Sequence, residues 1–93
     1  MEAEKEVKPK KPLSKTEQTL LSELQIATYP SIIYHPFTRE GFMLEPKAVA
    51  LYDYIKGYEK MIHMSKTTNI KQFDMARNLF MKLWPNTYMN LLD

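Results

Sequence analysis

The sequence predicts a small, mainly α domain. It comprises three helices, a short C-terminal helical turn, an irregular or hairpin segment between helices 1 and 2, and a flexible N-terminal arm. Three observations carry that prediction. Between Glu45 and Met64, the residues Ala48, Leu51, Tyr52, Ile55, Tyr58 and Ile62 recur at steps of three and four, which gathers them on one helical face. Ser14-Lys15-Thr16-Glu17 has the form of a capping box. Prolines punctuate the chain: Pro46 suits the first turn of a helix, while Pro30 and Pro85 stand where a helix has to stop.

Residues 1–12 hold almost no apolar side chain and carry Glu2, Glu4, Lys5, Glu6, Lys8, Lys10 and Lys11. Such a segment lacks the apolar area to offset its ordering entropy, so it reads as a flexible charged arm that reaches a neighbour. Residues 13–93 then form a single helical domain. Its first helix runs from about Lys15 to Ala27, with Ser14 as N-cap and Leu20, Leu21, Leu24 and Ala27 as its apolar stripe. Pro30 ends it.

Ser31 to Leu44 breaks the helical pattern. Ile32, Ile33, Tyr34 and Phe37 are strand-formers, Thr38-Arg39-Glu40-Gly41 can turn, and Phe42-Met43-Leu44 is a short apolar run. A hairpin and an irregular loop pinned by aromatics both fit. An isolated hairpin is marginal and Pro36 weakens a ladder, so the balance falls to the loop.

The central helix follows, with Asp53, Lys56, Lys60 and His63 on its polar face. Gly57 within it disfavours the helix by about 1 kcal/mol against alanine unless it admits a close backbone neighbour. Asn69-Ile70-Lys71-Gln72 resembles a second capping box, and Ile70, Phe73, Ala76, Phe80, Leu83 and Trp84 mark the buried face of a third helix ended by Pro85. The short connection makes the central and third helices antiparallel neighbours. Tyr88, Leu91 and Leu92 then fold a last helical turn onto the core. Six of the seven methionines lie within the domain, where they read first as gap-fillers in a loosely specified core and second as an adaptable docking surface.

Composition narrows the function classes. The net charge of +2 argues against a protein built around nucleic acid or an anionic membrane surface. With no cysteine there are no disulfides and no thiolate metal sites. The first residues are charged rather than apolar, and no run approaches a membrane span, so the expected setting is a cytoplasm. Catalytic groups are sparse. Glu59 and His63 stand four apart, the spacing of half a metal site, but the remaining ligands are missing and a solvated helix-surface pair is the better reading. Gly41 and Gly57 are too far apart for a phosphate-cradling loop. The expectation is a protein without catalytic residues, metal or cofactor.

Two binding readings remain. Lys66, Thr68, Asn69, Lys71 and Gln72 cluster at the start of the third helix, where a helix-turn-helix protein places groove-reading residues, although Thr and Asn suit any helix N-terminus. The stronger reading is protein binding. Six tyrosines, four phenylalanines and a tryptophan exceed what so small a core needs, and Tyr29, Tyr34, Phe37, Phe42, Met43 and Tyr54 fall on the irregular segment or off the main helical stripe. Aromatics in such places are typical interface anchors. A protein partner or self-association is expected, with nucleic acid as the alternative and no membrane.

The central run Ala-Val-Ala-Leu-Tyr-Asp-Tyr-Ile-Lys-Gly (48–57), the run Phe-Asp-Met-Ala-Arg-Asn-Leu-Phe-Met-Lys-Leu-Trp-Pro (73–85) and the ending Tyr-Met-Asn-Leu-Leu-Asp (88–93) resemble small uncharacterised proteins of tailed, crAss-like phages. The resemblance covers about half the chain and carries no functional residue across. It implies a small virion component or a phage factor acting on a host protein.

Overall fold

The computed structural model describes residues 4–9, 11–26, 29–66 and 70–92. Its elements run α1 (Lys15–Glu23), β1 (Ser31–Tyr34), β2 (Gly41–Leu44), α2 (Pro46–His63), α3 (Ile70–Leu83) and α4 (Pro85–Leu91). The mainly helical domain and its C-terminal turn match the sequence expectation.

The capping box forms. Glu17 N–H donates to Ser14 Oγ at 3.1 Å, and Ser14 N–H donates back to Glu17 Oε1 at 3.0 Å. The same carboxylate also accepts from Lys82 Nζ at 3.1 Å, so one buried glutamate caps α1 and ties it to the last turn of α3. Burial alone would push the Glu17 pKa up; the Ser14 N–H and the Lys82 ammonium outweigh that and hold it below the usual carboxylate range.

Helix α1 stops at Glu23, short of the Ala27 expected. Leu24 turns extended (φ −70°, ψ 140°) and packs against the core, well before Pro30 is reached. Within α1 the Thr19 and Ser22 hydroxyls bond back to the Lys15 and Thr19 carbonyls, a competition with the ladder that weakens a short helix. Ala27 and the Asn69 N-cap lie outside the described residues.

The core gathers Leu20, Leu44, Ala48, Leu51, Tyr52, Ile55, Ala76, Leu79, Phe80, Leu83, Trp84 and Leu91. The α2 stripe is as the spacing predicts, with Tyr58 and Ile62 half-buried at its far end. On α3 the buried face is rotated slightly: Leu79 is buried, whereas Ile70, the first residue of the helix, is exposed. The expected methionine-filled core is also corrected. Met61, Met64, Met81 and Met89 are exposed and Met43 and Met75 half-buried, because branched and aromatic side chains already fill the interior. Trp84 is fully buried against Phe80, ring centroids 5.3 Å apart, and its indole N–H donates to Glu45 at 3.0 Å. Arg77 sits over the Phe73 and Tyr88 rings and donates to the Tyr88 hydroxyl at 2.8 Å, which clamps α3 to α4.

Residues 4–7 of the N-terminal segment lie against this framework. The Glu4 carboxylate accepts from the Asn86 and Thr87 N–H groups at 3.3 and 2.9 Å, where α4 begins. Val7 N–H donates to the Leu83 carbonyl at 2.8 Å, and Glu6 meets Lys47 at 3.3 Å.

Candidate functional site

Ser31–Leu44 is a hairpin, not the favoured loop. Strands β1 and β2 pair antiparallel in the register Ser31↔Leu44, Ile32↔Met43, Ile33↔Phe42 and Tyr34↔Gly41. Pro36 does no harm because it falls in the turn, outside both strands. There its fixed φ is useful and its missing N–H is not needed. His35 supplies the turn with an acceptor: its Nδ1 receives the Phe37 and Thr38 N–H groups at 3.1 and 3.2 Å. The His35 carbonyl accepts from Arg39, its N–H donates to Glu40, and Arg39 takes the left-handed conformation at φ 61°. The turn is therefore held by several bonds rather than by a glycine.

Alternation along the strands decides which side chains meet solvent. Ile33, Phe42 and Leu44 face inward and pack on or within the core. Ile32 and Tyr34 face outward and are 44% and 63% exposed; Tyr29, on the approach to β1, is 66% exposed, and Phe37 at the turn is 89% exposed. Gly41 makes room for this face. A Cβ there would lie 3.0 Å from both Ile32 Cγ2 and Tyr34 Cε1, so the Tyr34 ring rests against the bare glycine of the facing strand. No charged residue lies within either strand.

The sequence candidates thus divide. Tyr29, Tyr34 and Phe37 share the exposed hairpin region, and half-buried Met43 stands opposite Ile32. Phe42 belongs to the inner face. Tyr54 is half-buried: its ring lies 5.0 Å from Tyr58, its hydroxyl accepts from Gln72 Nε2 at 2.9 Å, and burial pushes its pKa up. Ile32 was missed. Strand alternation with Tyr34 is the signal that identifies it, available only once the segment is read as paired strands.

Three residues of the alternative cluster fall among the described ones. Lys66 and Lys71 are exposed, Gln72 donates its amide to Tyr54, and Thr68 and Asn69 lie outside the described residues. Glu59 pairs with Lys56 at 3.5 Å, three residues away. Among the described residues no group of three His, Asp or Glu side chains is placed to hold a metal ion, and no helix is long and apolar enough to cross a membrane. A groove of about 470 Å³ runs between α1 and α2, lined by Leu20, Leu24, Ala50 and Tyr54 with Glu23 and Asp53 at its edge.

No protein-family model matches this chain, and no characterised protein or solved structure shows significant similarity to it.

Proposed function

We propose that this chain is a non-enzymatic interaction protein that docks a protein partner through the outer face of its hairpin. One observation carries the reading: Tyr29, Ile32, Tyr34 and Phe37 are exposed together along one short segment, although the domain completes its core without them. Aromatic side chains presented by a stiff turn are what a buried contact needs, since little side-chain entropy is lost on docking. Two of the groups that chemistry could draw on are engaged in structure instead. His35 Nδ1 organises the turn, and Glu17 caps a helix while bound to Lys82. The resemblance to small proteins of crAss-like phages fits a virion or assembly component, or a factor binding a host protein, acting in the host cytoplasm or in the particle. The nucleic-acid reading has less to stand on, because the Gln72 amide is already given to Tyr54.

Replacing Tyr34 and Phe37 together by serine tests this reading. Both side chains are exposed, so the melting temperature should hold while the size of the complex formed by the tagged chain in expressing cells collapses to that of the free protein. A lowered melting temperature with the complex intact would contradict it.

A further inference from the structure

We propose that the occupant of this surface is a second copy of the chain, joined edge to edge through β1 into a four-stranded sheet about a two-fold axis. The proposal rests on the reading of the hairpin as a docking surface and names its partner.

The ladder determines where the backbone groups point. His35 N–H donates to the Glu40 carbonyl at 2.9 Å, which marks that opposed pair as hydrogen-bonded. Antiparallel pairs alternate, so Ile33 and Phe42 form the next bonded pair. The N–H and C=O groups of Ile32 and Tyr34 therefore point away from β2. Among the described residues neither finds a backbone partner outside the hairpin. Natural edge strands are commonly blunted by lysine, proline or a bulge. Ser-Ile-Ile-Tyr has none of these.

A second copy laid antiparallel on this edge has a register that satisfies every exposed group. With Ile33 at the axis against its own counterpart, Ile32 of each copy faces Tyr34 of the other. Those two opposed pairs supply four backbone hydrogen bonds. Each is also an aromatic side chain against a β-branched one, a favoured cross-strand combination. The same register carries Phe37, at the turn, toward Tyr29 of the second copy. All four exposed residues are then accounted for by a single operation. Because the strand is uncharged, two identical edges meet without like-charge repulsion. In such a pairing the outward side chains meet only along their flanks while the sheet face stays solvated, so the buried area falls short of the roughly 1,200 Å² at which specific interfaces begin. The dimer is accordingly reversible and concentration-dependent. It also gives the hairpin the third and fourth strands that a two-stranded sheet lacks.

Sedimentation equilibrium of the full chain from about 10 µM to about 1 mM tests the pairing, beside the Ile32→Pro variant. The Ile32 N–H points away from β2, so proline there spares the hairpin ladder and removes a donor from the edge. The expected result is a dimer for the native chain, insensitive to added salt, and a monomer throughout for Ile32→Pro with an unchanged circular dichroism spectrum. Amide exchange on the native chain gives an independent reading: the Ile32 and Tyr34 amides should slow as concentration rises. A native chain still monomeric at about 1 mM would overturn the proposal, as would a dimer in which those two amides exchange no more slowly. A monomer that nonetheless cross-links through the hairpin turn to a different protein sinks the self-pairing and leaves the docking reading standing; a chain that does neither sinks both.

Discussion

The indole N–H of Trp84 donates to the Glu45 carboxylate at 3.0 Å, joining the residue before α2 to the residue between α3 and α4. Glu45 occupies the N-cap position of α2 yet makes no side-chain cap bond there. Its carboxylate serves the buried tryptophan instead. Glu45→Ala should lower unfolding free energy by about 1–2 kcal/mol, because it strands a buried donor. In a Trp84→Phe background the same change should have little further effect, a coupling that a denaturant double-mutant cycle measures.

Acid should weaken the protein partly through Glu17. Its folded pKa lies below the unfolded value, so its contribution is fully present above the ordinary carboxylate range and is lost as pH falls through the folded pKa. Glu17→Gln keeps the cap geometry and removes the charge. The variant should be less stable than the native chain by about 0.5–1 kcal/mol at pH 7, a modest figure because Lys82 is well exposed. That gap should close by pH 3 in urea titrations; a gap unchanged by pH would contradict the assignment.

Gly57 offers the reverse case. A Cβ there meets nothing within 4 Å, so the residue does not serve a close backbone approach. Gly57→Ala should stabilise the chain by about 0.5–1 kcal/mol and raise its melting temperature by several degrees.

How much of this was legible in the sequence follows the range of the interactions. Ser14 and Glu17 are three residues apart, and a local pattern sufficed to predict their reciprocal bonds. The α2 stripe, the helix start at Pro46 and the end of α3 before Pro85 are local in the same sense. Glu17 with Lys82, Glu45 with Trp84, and Glu4 with the start of α4 pair residues far apart in the chain, and no spacing rule finds them. The hairpin was obscured by Pro36, which reads as a strand-breaker until the register places it in the turn. The acceptor role of His35 was likewise invisible, since that work usually falls to Asp or Asn. With the strands hidden, the alternation that puts Ile32 beside Tyr34 was hidden too.

That substitution of roles can be tested. His35→Ala removes the acceptor for Phe37 and Thr38 N–H and should loosen the turn by about 1 kcal/mol, read as faster amide exchange at those two positions. His35→Asp should restore most of the protection, because an aspartate carboxylate accepts from the N–H two residues on in the same kind of turn.

The most direct test of the hairpin face is a photo-reactive phenylalanine analogue placed at position 37, with the same group at position 89 as control. Phe37 and Met89 are both highly exposed, but only Phe37 belongs to the hairpin. Illumination of expressing cells should give a discrete cross-linked species from position 37 and none from position 89. Equal cross-linking from both positions, or a cross-link from position 89 alone, would contradict a docking surface on the hairpin.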